Sequence, residues 1–209
     1  MTSDIHEVVA RLLAAAERRD RFIVALAGPP AAGKSFWSQA LCQALDDREP
    51  GSAVVVPMDG YHFDNAVLEP RGLLPVKGAP ATFDCAGLQH DLERIRRGED
   101  TVAVPVFDRP LDLARAGARQ VTRRHRLVIV EGNYLLLDEA PWSALHDIFD
   151  FTLFLDVDDD LLEARLLERW QAMGQDPDGA LERTRDKDML NARLIKTHSV
   201  AADLAWRPV

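Results

Sequence analysis

Two periods organise the hydrophobic positions of this chain. Ile5, Val8, Val9, Leu12, Leu13 and Ala16 recur every three or four residues. That is the spacing of one helix face, so the first segment is predicted as an amphipathic helix. "RFIVALA" (21–27) is a short apolar run ending at Gly28; it predicts a strand buried on both faces. "KSFWSQALCQAL" returns to helical spacing, with Trp37, Ala40, Leu41 and Leu45 on one side, and "SAVVVPM" predicts a second buried strand that leads to Asp59. Residues 60–83 are rich in proline and glycine and have no period; a loop this long inside a compact domain is usually functional or mobile. "FDCAGLQHDLERIRRGE" reads as a helix capped by Asp84 and stopped by Gly98. Pro105 interrupts "VAVPVFD", which makes it a short edge strand. "RLVIVEG" and "FTLFLDV" predict two more buried strands, helices fill 158–172 and roughly 180–198, and "ADLAW" closes the sheet as a fifth strand. Strands alternating with helices imply an α/β architecture, a parallel sheet covered on both faces. Nothing divides the chain, so a single domain over 1–209 is expected.

Composition narrows the class. At 47% hydrophobic and 28% charged residues the chain is ordinary for a globular domain. A net charge of -9 without a basic run argues against nucleic acid or an anionic membrane as partner. Cys42 and Cys85 lack metal-ligand spacing, which suits a reduced, cytoplasmic setting. The start "MTSDIHEVVARLLAAAERRD" lacks the basic and apolar regions of a secretion signal. No stretch approaches the roughly 20 apolar residues of a membrane helix.

The chemistry centres on Gly28-x-x-x-x-Gly33-Lys34-Ser35, set between a predicted strand and a predicted helix. That context marks a phosphate-binding loop. Its glycines let backbone N–H groups turn inward, and the helix N-terminus adds positive potential. Lys34 can reach terminal phosphates and the Ser35 hydroxyl can bind Mg²⁺. Pro29 and Pro30 stiffen the loop but remove two donors, so the residues from Ala31 onward supply most of the cradle. The nucleotide-binding stretch is Gly28, Pro29, Pro30, Ala31, Ala32, Gly33, Lys34, Ser35 and Phe36. A guanine-reading N-K-x-D and an L-S-G-G signature are both absent. The one D-x-x-G, Asp176 to Gly179, lies between two predicted helices. Switch and transporter ATPases thus lose their distinguishing features.

Phosphoryl transfer to an acceptor needs further groups: a carboxylate aimed at the acceptor, another near the metal, and mobile cations. Asp59 and Glu131 close the second and third buried strands, the end at which ligands sit in open α/β sheets. The alternative is that each merely caps a turn before glycine. Arg165 and Arg169 share a helix face leading into "MGQDPDG", which suits a hinged lid over roughly 160–185. The alternative is a solvated face paired with Glu163 and Glu168. Arg183 and Arg185 are further candidates. His62 is either an acceptor contact or a surface residue, and Phe107 to Arg109 either line the acceptor site or form a turn. The four tryptophans read as packing residues, with Trp206 alternatively near an adenine.

"AGPPAAGKS", "PMDGYHFDN", "LEPRGLLPVKGAP", "VPVFD" and "IVEGNYLL" occur in the order and approximate spacing of one known group. The chain resembles the P-loop kinases that include uridine kinase, phosphoribulokinase and bacterial type I pantothenate kinase. It is most similar to a shorter bacterial branch associated with fructose transport. The resemblance implies a three-layer P-loop fold with a helical lid, ATP and Mg²⁺ as cofactors, and a small-molecule acceptor. It implies that Asp59 positions the acceptor hydroxyl with Lys34, Arg165 and Arg169 as catalytic partners, and that Ser35 and Glu131 lie at the metal. Tyr61, His62, Lys77, Phe107 and Arg109 would then form the acceptor side, and a homodimer is an open alternative. Uridine kinases usually follow the acid with Ser-Phe-Tyr, where this chain has Gly60-Tyr61-His62. Pantothenate kinases are longer, and their extra C-terminal part helps form the acceptor pocket. The expected activity is transfer of the γ-phosphoryl of ATP to a hydroxyl of a small metabolite. A sugar such as fructose leads, with pantothenate or a nucleoside next. A nucleotide-binding regulator or hydrolase tied to a transport system is the rival of another class.

Overall fold

In the computed structural model, which describes residues 4–208, the chain begins with helix α1 (Ile5–Ala15). Asp4 caps it by accepting from the His6 N–H, and Val8, Val9 and Leu12 are buried. Strand β1 (Phe22–Ala27) follows, then α2 (Lys34–Asp46) and β2 (Ala53–Pro57). Strands β5 (Leu127–Gly132), β6 (Phe151–Leu155) and β7 (Leu204–Trp206) complete a five-stranded sheet in the order β2-β5-β1-β6-β7. Every pairing in it is parallel.

The two-residue alternation of each strand divides the core into two layers. Along β1, Ile23, Ala25 and Ala27 face one layer with Leu88, Leu92 and Trp142. Phe22, Val24 and Leu26 face the other with Val8, Leu12 and Leu41. Both faces are covered, which is why β1 and β5 read as unbroken apolar runs rather than alternating ones. The three-layer α/β arrangement expected from the sequence is therefore present.

Two features differ from expectation. "VAVPVFD" does not edge the main sheet. It lies in β3 (Thr101–Asp108), which pairs antiparallel with β4 (Leu113–Thr122) in a separate two-stranded sheet. The pairing register shifts between Val104 and Val106, so Pro105 sits at the irregularity, where its missing N–H costs nothing. The aperiodic stretch 60–83 is folded into short pieces: a 3-10 turn at Met58–Tyr61, helix α3 (Asn65–Leu68), and 3-10 turns at Leu74–Val76 and Pro80–Thr82. The Tyr134 hydroxyl donates to the Gly78 carbonyl at 2.6 Å, tying this segment to the core. Helix α4 (Cys85–Arg96) follows, capped by Asp84 as the sequence predicts.

Past the sheet come α5 (Asp159–Ala172), α6 (Pro177–Arg183) and α7 (Met189–His198). A π-helical turn, Thr184–Asp188, joins the last two. Among the described residues no helix is long and apolar enough to cross a membrane.

Candidate active site

The carboxyl ends of β1, β5 and β2 lie side by side, and the site grows from them. Residue pairing across the sheet sets Glu131 opposite both Leu26 and Pro57. The phosphate loop leaves β1 on one side of it, and the Asp59 turn leaves β2 on the other.

The loop backbone is left-handed at Ala31 (φ 61°) and at Gly33 (φ 90°), which caps α2. Glycine adopts that conformation freely, as the turn into the helix requires. At Gly28 a Cβ would lie 3.1 Å from both the Cβ and the carbonyl oxygen of Leu155, so a side chain there would press against β6. Lys34 is buried and donates to the Pro29 carbonyl at 2.9 Å, holding its ammonium inside the loop. Burial pulls that ammonium down to about 8, against the opposing pull of Glu131 and Asp59. The Ser35 hydroxyl donates to Glu131 Oε1 at 3.0 Å. Burial, then the like charge of Asp59, raises the pKa of the Glu131 carboxyl.

Both acids precede a glycine for a spatial reason. A Cβ on Gly60 would fall 2.4 Å from the Pro105 carbonyl oxygen, and one on Gly132 would fall 2.5 Å from the Met58 Cβ. The Asp59 turn is in close backbone contact with β3, while the Glu131 turn packs tightly against the Met58 side chain. Asp59 accepts from Arg109 at 2.5 Å, an ion pair that spans from the β2 turn to the end of β3.

Lys34, Ser35, Asp59 and Glu131 line one cleft of about 780 Å³. His62, Lys77, Phe107 and Arg109 line the same cleft. His62 Nδ1–H donates to the Asp59 carbonyl at 2.8 Å, and the ring packs on Phe83 and Phe107. Burial lowers its pKa, favouring the neutral ring. Lys77 donates to Asn65 Oδ1 at 2.7 Å and to the Asp112 carbonyl at 2.9 Å, and pairs with the Asp112 carboxylate at 3.0 Å. Its ammonium also lies 5.3 Å from the Phe107 ring centre.

Not every candidate comes to the cleft. Tyr61 is buried, and its hydroxyl donates to Asp91 Oδ2 at 3.0 Å, which turns it toward a separate cavity of about 370 Å³ behind the Asp59 turn. Arg169 lines the cleft, and burial followed by the nearby Arg109 lowers its pKa. Arg165, one turn earlier, instead donates to the Ala31 carbonyl at 3.2 Å, outside the cleft lining. Arg185 pairs with Glu163 at 2.7 Å on the outside of the bundle. Pro30, Ala31, Gly33 and the exposed Phe36 line the loop side. Trp206 is fully buried under Trp37, with ring centres 5.0 Å apart, so it is a core residue. Sequence reasoning missed Asn133, Lys187, Asp188 and Asn191, all of which line the cleft. Asn133 stood in the quoted string "IVEGNYLL"; the other three carried no motif.

The donor set suits a nucleotide with Mg²⁺. The Ser35 hydroxyl and Glu131 carboxylate are hard oxygen donors within 3.0 Å of each other. Among the described residues no cluster of three acids, histidines or cysteines could hold a metal alone.

Comparison with known proteins places the fold among kinases. No family model matches the chain. A crystal structure from Silicibacter, provisionally named a fructose transport system kinase, is 43% identical, with a TM-score of 0.93 over 98% of this chain and 99% of that one. A Schizosaccharomyces pombe protein provisionally named a uridine kinase is 30% identical over 97% of this chain and 89% of its own length. Pantothenate kinase of Shouchella clausii is 32% identical over 87% of this chain and 61% of its own length.

Proposed function

The chain belongs to the P-loop kinases of the uridine kinase and pantothenate kinase group, ATP-dependent phosphotransferases with an alcohol acceptor, and on that premise we propose that its acceptor is a small polyhydroxylated metabolite, a sugar before a nucleoside or pantothenate. One observation carries the reading. The Asp59–Arg109 ion pair lines the same cleft as Lys34, whose charge it influences.

In this reading an acceptor hydroxyl lies against the Asp59 carboxylate, which takes its proton as the oxygen attacks phosphorus. Arg109 holds that carboxylate in one orientation. Lys34 and Arg169 offset the charge that spreads over the transferring group and its leaving oxygen. Glu131 and Ser35 would hold Mg²⁺, which when bound screens charge on the phosphates. Asn133 and Asn191, which line the cleft, supply amides suited to the remaining hydroxyls. The name of the Silicibacter relative supports a sugar, and the paired Lys77 and Asp112 in the cleft wall support a polar acceptor.

The test is ATP consumption with and without a panel of sugars, substituted sugars, nucleosides and pantothenate. Strong stimulation by one compound, with its phosphorylated product, is expected. Equal slow turnover with every compound contradicts the kinase reading and favours a regulator or hydrolase.

A further inference from the structure

The cations of the cleft are linked through Arg169, on which the charges of Arg109 and Asp59 act together with those of Arg183 and Asp188. Lys34 and Arg169 sit with Arg109, Asp59 and Glu131 at the phosphate end, where Lys34 feels the charges of all four others. Lys187 lies on the acceptor-wall side of this chain of charges: Arg183, Asp188, Asp112 and Lys77 act on it. It also donates to the Pro75 carbonyl at 3.4 Å, a long contact with the 74–76 turn of the acceptor wall.

Around Lys187, three cations (Lys187, Arg183 and Lys77) stand against two carboxylates (Asp112 and Asp188). Asp112 is engaged by Lys77 at 3.0 Å, and Asp188 Oδ2 accepts the Trp170 indole N–H at 2.7 Å. Arg183 stacks 4.0 Å from the Trp170 ring centre. Among the described residues neither Lys187 nor Arg183 forms a salt bridge, although both line the cleft. The chain as a whole carries a net charge of -9, so this local surplus of cations runs against its composition. The π-helical turn Thr184–Asp188 accompanies the arrangement: Arg183, Lys187 and Asp188 line the cleft, while Arg185 pairs outward with Glu163. Such turns inside helices are frequent at functional sites. Burial, then the neighbouring Arg183, lowers the pKa of Lys187, so a bound anion would be favoured by both.

We propose that the acceptor carries an anionic group, a carboxylate or phosphate on its polyhydroxylated skeleton, and that Lys187 with Arg183 receives it beside the 74–76 turn of the cleft wall. The proposal rests on the kinase reading of the cleft and names the acceptor's chemical class. Recognition by charge at one point and by Asp59 at another would fix which hydroxyl is presented for transfer.

Calorimetric titration of the full chain, saturated with Mg²⁺ and a non-hydrolysable ATP analogue so that the phosphate loop is filled, tests this. The probes are fructose, gluconate and fructose 6-phosphate. Gluconate or fructose 6-phosphate should bind at least about tenfold more tightly than fructose, and which of them does so distinguishes a carboxylate from a phosphate source. Lys187→Met should weaken that binding by about 10–100-fold, the usual worth of a hydrogen bond to a charged group. Lys187→Arg should restore most of it, and Arg185→Met, whose charge lies outside the cleft, should leave it unchanged. Failure of both anionic probes to bind, fructose binding as tightly as they do, or equal binding by parent and Lys187→Met overturns the proposal. The kinase reading fails by a different sign: an anionic probe binds through Lys187, yet no compound accelerates ATP consumption.

Discussion

Replacing Gly60 with alanine tests whether close backbone contact holds Asp59 in place. The new Cβ would lie 2.4 Å from the Pro105 carbonyl oxygen, 2.7 Å from its carbon and 3.1 Å from the Val106 nitrogen, all of them backbone atoms. Contacts under 3.0 Å are essentially never tolerated, so the turn and β3 must separate by about 0.6–1 Å. Asp59 sits on one side of that gap and its partner Arg109 on the other. Overpacking of this kind costs about 1–3 kcal/mol, which lowers the melting temperature of a domain this size by about 2–12 °C. A displacement near 1 Å at reacting groups can cost about 10²-fold in rate. Thermal unfolding and acceptor-dependent transfer, measured on the same variant, should therefore both fall, the rate by more than the folded fraction explains. A melting temperature and transfer rate within error of the parent would refute the reasoning, because the carbonyl could not then be where the structure has it.

Lys34→Ala should abolish turnover and weaken ATP binding, read by calorimetry, because the charge on the terminal phosphates is lost. Glu131→Gln should lower turnover and alter the Mg²⁺ dependence while leaving the melting temperature unchanged or higher, since it removes a buried carboxylate that Asp59 repels. The lowered His62 pKa means that the unfolded chain takes up a proton before the folded chain does. Its contribution to stability is thus complete above about 6.5 and is lost as pH falls through the folded value. Melting curves at pH 8 and pH 5 should show a smaller acid loss for His62→Gln than for the parent, and equal losses would remove this role.

Much of this was legible because burial and local geometry write themselves into sequence. Four of the five main strands are apolar runs of branched residues, and the phosphate loop announces itself by spacing. Strand β4 was not legible. Its "LARAGARQVT" is largely exposed, with Val121 its only fully buried residue among those described, so no alternation marks it. It is held by pairing with β3, a tertiary contact that local pattern does not report. The same limit applies to helix α5. Arg165 and Arg169 look equivalent by helical spacing, yet one meets the Ala31 carbonyl and the other lines the cleft. Lys187 and Asp188 line the cleft at a π-helical turn, an irregularity without a sequence signature. Tyr61 stands in the acceptor-side string, but its neighbour Gly60 packs on β3 and its own hydroxyl goes to Asp91.

The central claim is that Asp59 serves an acceptor hydroxyl rather than a water, and Asp59→Asn examined by two assays tests it most directly. Asparagine keeps the shape of the side chain but cannot take the proton, and positioned general bases contribute about 10²–10⁴-fold in rate. Acceptor-dependent phosphoryl transfer should fall by about that factor. Acceptor-free ATP hydrolysis should fall much less, and ATP affinity should change little, because Lys34, Ser35 and the loop backbone remain. An equal fall in both activities, or a fall in neither, would contradict the account.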